Sequence, residues 1–191
     1  PEVGGALTLN GKVSTNGQQI TAVARGGIDT LEVGSGENTF REKRVDLDFD
    51  GGADTTAKSI KINKMRLTST PLTAELAGSL NHYDTTLDAA LTGRYDAGWD
   101  QLTTLLNELV PATAALLVIK GRTASTFEIK GPLRTTGVQP EFRGLTTGLD
   151  IAWDSAAIYG IPLGGVKFQP RVADGQFRMP PAAIPSTTGG A

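Results

Sequence analysis

Asp46, Asp48, Asp50 and Gly51 stand at the spacing that opens a calcium loop, D-x-D-x-D-G, in which alternate carboxylates converge on the ion and glycine makes the sharp turn. The twelfth position of such a loop needs an acid, and here it is Ala57. The intervening Val45, Leu47 and Phe49 instead describe an amphipathic strand whose aspartates line its solvated face, with weak calcium binding helped by Asp54 as the alternative. His82, the only histidine, sits beside Tyr83 and Asp84, a combination suited to proton transfer if a nucleophile and an oxyanion site lay close by. The sequence supplies neither, so His82 reads as a turn residue.

Other chemistries are removed by composition. With no cysteine there is no disulfide scaffold, thiolate metal site, cysteine nucleophile or iron–sulfur centre. No G-x-S-x-G elbow, Walker loop, H-E-x-x-H pair or dinucleotide fingerprint is present, and Gly34 to Gly36 lacks the strand-to-helix context of a phosphate loop. A net charge of −2 offers no general attraction to nucleic acid. Of the 18 basic residues, seven fall between Arg41 and Arg66 among acids and strand residues, which reads as a solvated sheet edge guarded against aggregation. The expectation is a non-enzymatic chain with no cofactor, no nucleic-acid partner and no transmembrane span.

A short cadence organises the chain: two apolar residues two apart, then Gly after another two. It runs through Leu7-Thr-Leu-Asn-Gly11, Leu47-Asp-Phe-Asp-Gly51, Ala74-Glu-Leu-Ala-Gly78, Ala89-Ala-Leu-Thr-Gly93, Leu117-Val-Ile-Lys-Gly121 and Phe127-Glu-Ile-Lys-Gly131. Strand side chains alternate between faces, so each copy places its apolar pair and its Gly on one side. Ile20 to Arg25, Ile28 to Val33, Thr56 to Ile62 and Met65 to Thr70 are further β-prone runs. Gly51-Gly52 is a candidate hairpin turn, as is the polar stretch Asn81 to Asp84. The apolar parity slips near Asn63-Lys64 and breaks at Pro71, marking a bulge and a turn. One helix is expected over 97–109, where Trp99, Leu102, Leu105, Leu106 and Leu109 recur at helical spacing, Asp96 is a candidate N-cap and Pro111 a stop. An embedded helix of this kind covers a sheet face or plugs one end. Strand-like runs continue weakly to Met179.

The fold class is therefore all-β: a mainly antiparallel, curved or half-open sheet of many short strands with one amphipathic helix, or alternatively a closed β-sandwich. Residues 1–179 read as one β-rich domain and 180–191 as a Pro/Ser/Thr/Gly-rich tail or linker. A chain opening at Pro1 and closing in that tract reads as a portion of a longer polypeptide. Leu7 to Val13 alternates strongly with Lys12 as its one charged guard, which makes it the candidate docking edge for self-association or for a neighbouring β segment.

The L-x-L-x-G cadence, the run Leu72 to Leu80, Thr86 to Tyr95 followed by Trp99-Asp-Gln-Leu102, and Phe127 to Leu133 resemble the repetitive β-rich region of AsmA-like envelope proteins. That family is similar to TamB-like and bridge-like lipid-transfer proteins, whose strands form a long curved sheet with an apolar inner groove behind an N-terminal membrane helix. The resemblance implies phospholipid transport or outer-membrane assembly in the periplasm of a Gram-negative-type bacterium, this chain being an internal or C-terminal portion. The helix over 97–109 departs from the family's pure strand repeat. The residues that would line a groove or interface are Leu76, Leu91, Leu117, Ile119, Phe127 and Ile129. The alternative is a structural or adhesion β module that presents its polar strand faces to protein or glycan.

Overall fold

A computed structural model describes residues 2–35, 38–109, 116–134, 144–173, 176–181 and 185. Six strands follow one another as a meander: β1 (Glu2–Thr15), β2 (Gln19–Ser35), β3 (Asn38–Asp54), β4 (Ser59–Thr68), β5 (Leu72–Asn81) and β6 (Asp88–Gly98). Helix α1 (Trp99–Leu109) comes next, then β7 (Leu117–Lys120) and β8 (Arg122–Pro132). The remaining strands are short: β9 (Thr146–Leu149), β10 (Ile151–Trp153), β11 (Ser155–Ile158), β12 (Ile161–Leu163), β13 (Val166–Phe168), β14 (Arg171–Ala173) and β15 (Gln176–Arg178). A ten-stranded sheet runs in the order β1-β2-β3-β4-β5-β6-β8-β9-β14-β15, accompanied by a two-stranded β10-β13 pair and a three-stranded β12-β11-β7 sheet. Every pairing in it is antiparallel. The described residues are thus mostly antiparallel β with one helix, and the main sheet is open, not closed into a barrel.

The first three strands are longer than the turn signals suggest. Gly51-Gly52 is not a hairpin turn: both glycines lie inside β3, opposite Ile62 and Lys61, and the reversal comes at Thr55 to Lys58. Asp54 holds that turn by accepting hydrogen bonds from the amides of Thr56 (2.8 Å) and Ala57 (2.7 Å). Gly26-Gly27 likewise sits within β2, where the Leu9 side chain and the Arg44 guanidinium occupy the space a side chain would need. The register does shift between Ile62 and Met65, the bulge expected at Asn63-Lys64, and the break at Pro71 separates β4 from β5. His82, with φ of 51°, opens the turn between β5 and β6.

Asp96 does not cap the helix. It lies in β6 and pairs with Arg122 of β8 at 2.7 Å, while α1 leaves the strand directly after Gly98. The helix packs against β7 and also against β2, β3 and β6 of the main sheet. Thr103 Oγ1 donates to the carbonyl of Ile119 and accepts from its amide, both at 3.3 Å, so the helix satisfies the outer edge of β7 with side-chain groups. The Trp99 indole donates to Thr123 Oγ1 at 2.8 Å and to the carbonyl of Ala152, tying the helix start to β8 and β10. Pro111 lies outside the described residues.

Most of the tail lies outside the described residues as well, but the carbonyl of Pro185 accepts a hydrogen bond from the amide of Gly164 at 2.7 Å. The core is small. Ile62, Ala89 and Leu91 are buried, with Phe49, Ile60, Met65, Leu76, Leu80 and Ile129 packed around them, and among the described residues no large side chain is completely enclosed.

Candidate functional site

Residues paired across an antiparallel ladder project to the same face, so the register sorts the sheet into two sides. Reading outward from β5, Leu76 pairs with Gly93 and Met65, Gly78 with Leu91 and Ile62, and Leu80 with Ala89 and Ile60. Met65 continues to Phe49, Phe49 to Ala24 and Ala24 to Gly11. In the other direction Leu91 pairs with Ile129, and Gly93 with Phe127, which pairs in turn with Leu149. One face is therefore apolar from β1 to β9. The opposite face carries Arg25, Arg44, Asp46, Asp48, Asp50, Arg66, Glu75, Arg94 and Glu128.

Four of the six residues expected to form an apolar surface share that face: Leu76, Leu91, Phe127 and Ile129. Leu117 and Ile119 do not, because β7 belongs to the three-stranded sheet and pairs with β11. Sequence spacing was blind to this separation; the cadence at Leu117 to Gly121 matches the other copies, and only the long-range pairing with Ser155 to Ile158 sets it apart.

The repeated glycine has a local cause at Gly93. A side chain there would meet the Phe127 ring within 2.5–2.7 Å, so the missing Cβ lets the aromatic ring lie across the neighbouring strand. Gly131, with φ of 111°, marks where β8 bends beneath Gly144 and Leu145.

Exposure along the apolar face rises toward β1. Leu91 in β6 is 8% exposed, Leu47 in β3 is 37% and Leu9 in β1 is 67%. The whole chain exposes 12162 Å². A compact protein of its mass would expose about 8,700 Å², so roughly 3,500 Å² remains that a globular fold would have covered.

On the polar face the charges stand against partners of opposite sign. Arg44 bridges Asp29 (2.7 Å) and Asp46 (2.8 Å), which together hold its guanidinium above its ordinary value, hydrogen bonding from Asp46 first. Arg25 stands 3.4 Å from Asp48, and Asn63 Nδ2 donates to Asp50 at 3.0 Å. The three aspartates thus line a strand face, as the apolar spacing between them implies, rather than converge on one point. Among the described residues no group of acidic and histidine side chains is arranged to hold a metal. Apart from Lys58 in the turn between them, the basic residues from Arg41 to Arg66 belong to β3 and β4, which are interior strands, so they do not guard an edge. Among them Arg41 pairs with Glu32 at 2.8 Å and Arg44 with Asp29 and Asp46. A depression of about 900 Å³ lies on that face, lined by Glu75, Thr92, Arg94, Thr126, Glu128 and Arg171 among others.

Sequence patterning did not reveal Glu42, which is buried at the end of the sheet near α1 and accepts a hydrogen bond from Thr70 Oγ1 at 2.7 Å. His82 Nδ1 lies 2.7 Å from Asp88 Oδ2, with both side chains solvated. The neighbouring Tyr83 stacks beneath Lys58 instead of joining the pair.

The fold and face together define an open antiparallel sheet protein with one apolar and one charged side. No protein-family model, curated protein or solved structure matched the chain. Among the described residues no helix is long and apolar enough to cross a membrane.

Proposed function

We propose that this chain is a non-catalytic segment of a periplasmic, AsmA-like envelope protein of a Gram-negative-type bacterium, offering its apolar sheet face to phospholipid acyl chains during lipid transport or outer-membrane assembly. The observation that carries this reading is the exposure gradient: a face apolar across the sheet is packed at Leu91 and laid open at Leu7, Leu9 and Val13. Exposed apolar surface on this scale marks an interaction site rather than a core. Each acyl methylene buried there contributes about 0.8 kcal/mol, so no polar group is needed to hold a chain. Leu76, Leu91, Phe127 and Ile129 form the packed floor of the surface, and β1 to β3 form its open part.

Native mass spectrometry after mild purification tests the reading. Adducts with phospholipid masses are the expected result. Protein that emerges lipid-free, and that takes up no fluorescent phospholipid from vesicles, overturns it.

A second reading, a structural or adhesion module for protein or glycan, is favoured by the depression on the polar face, where threonine hydroxyls alternate with paired charges. Glycan or protein binding lost on Arg94→Ala, with lipid uptake absent, would select it.

A further inference from the structure

We propose that the β11–β12 hairpin is a membrane-docking tip, which sets Ile158, Tyr159 and Ile161 into the interfacial layer of a phospholipid bilayer while Lys120 meets the headgroup phosphates behind them. From Ser155 to Val166 no residue is charged, in a chain of which 20% of residues are. The reversal takes two residues, Tyr159 and Gly160, between the paired Ile158 and Ile161. At this turn Ile158 is 38% exposed, Tyr159 72% and Ile161 60%.

Tyr159 is an unfavourable residue for its own backbone. Both turn residues have positive φ, 52° and 77°, a loop that asparagine followed by glycine makes with least strain. A bulky side chain in the left-handed region costs free energy, and at this exposure the tyrosine gains little packing in return. A cost that the fold does not recover points to a use outside the fold.

Three features select a bilayer over a protein as the partner. The strands on either side of the turn are paired, and the Tyr159 amide donates to the Leu116 carbonyl at 2.7 Å, so the strand backbone enters an apolar layer already hydrogen-bonded. Among the described residues β12 is an edge of its three-stranded sheet, and Pro162 at its centre makes it a poor ladder for a strand added by another protein. Lys120 pairs with Ser155, three residues behind the row of Ile158 and Leu117, which is about 10 Å along the strand. Interfacial apolar elements sink about 5–10 Å, so the exposed ammonium arrives at headgroup level as the tip reaches the acyl boundary. Asp154 sets its carboxylate against Gly121, one residue further from the tip than Lys120. The Tyr159 phenol then has phosphate and ester oxygens to bond, as tyrosines at membrane interfaces do. This hairpin belongs to a different sheet from the apolar face of β1 to β9, so its docking does not rest on acyl chains being carried there.

Flotation of the whole chain with vesicles of phosphatidylethanolamine and phosphatidylglycerol tests the proposal. The unmodified protein should float with the vesicles. Tyr159→Asn should weaken binding by roughly tenfold while leaving the thermal midpoint unchanged or raised, because it supplies the residue that the turn prefers. Lys120→Gln should weaken binding to these vesicles by about fivefold and leave binding to pure phosphatidylcholine unchanged. Tyr159→Trp should gain emission that lipids brominated near the headgroup quench, above the background of Trp99 and Trp153. No flotation of the unmodified protein, equal flotation of Tyr159→Asn, or a loss seen only with Leu9→Ser on the main sheet would overturn the proposal. Should Tyr159→Asn fail to fold by circular dichroism, the quenching of Tyr159→Trp decides alone. Phospholipid adducts in native mass spectra should be the same with and without Tyr159→Asn, which separates failure here from failure of the lipid-carrying reading.

Discussion

Truncating leucines at two ends of the apolar face distinguishes packed floor from open surface. Leu91 is 8% exposed in a buried cluster of the main sheet, and Leu9 is 67% exposed on β1. Conversion to alanine removes three carbons, each worth about 0.8 kcal/mol when fully buried. Scaled by burial, Leu91→Ala should cost about 2.2 kcal/mol before any cavity term, and about 2–5 kcal/mol with one. Leu9→Ala should cost about 0.8 kcal/mol. Urea unfolding measures both, and the slope must stay constant for the midpoints to report stability. In thermal unfolding a chain of this length loses about 2–4 °C per kcal/mol, so the two variants should differ by several degrees. Equal losses at the two positions would show that β1 is covered as fully as β6, and the open-surface reading would be wrong.

Gly93→Ala should destabilise by about 1–3 kcal/mol, because its Cβ meets the Phe127 ring and the neighbouring strand; a change below about 0.5 kcal/mol in chemical denaturation would refute that role. Thr70→Val removes the hydroxyl that hydrogen-bonds the buried Glu42 carboxylate and should cost about 1–3 kcal/mol, with thermal unfolding as the check and an unchanged midpoint as the contrary result. The hydrogen bonds from His82 and then Thr86 hold the Asp88 carboxyl below its ordinary value of 3.8. A lowered folded pKa means the unfolded chain binds the proton first, so this contribution is present above the ordinary aspartate range and is lost as pH falls through the lowered folded value. Carbon-detected NMR titration should place Asp88 below 3.8 and return it toward 3.8 in His82→Ala; a wild-type midpoint at or above 3.8 would contradict the pairing.

The two-sided character of the sheet was legible because it depends on period two alone, and each copy of the cadence carries that period in its own residues. Glycine was harder to read, since one residue type serves two physical ends. It ends strands by turning, and it sits inside strands where something passes close above the backbone. At Gly26-Gly27 and Gly51-Gly52 the second use applies: the side chains of Leu9 and Arg44 fill the space at the first pair and the backbone of Lys61 and Ile20 at the second, neighbours that are distant in sequence. The same limit explains Leu117 and Ile119, whose local pattern matches Leu91 and Ile129 but whose partners, Ile158 and Ala156, lie many residues on and draw β7 into another sheet. Lys12 shows the converse. Its isolation on a long alternating run already singled out β1 as the exposed edge, because the defence of an edge is written in the strand itself and requires no knowledge of what pairs with it. What the sequence left open was the other half of the edge argument: whether a neighbour already occupied that side. Among the described residues, the order of the ten strands places β2 alongside β1 and no strand on its other side.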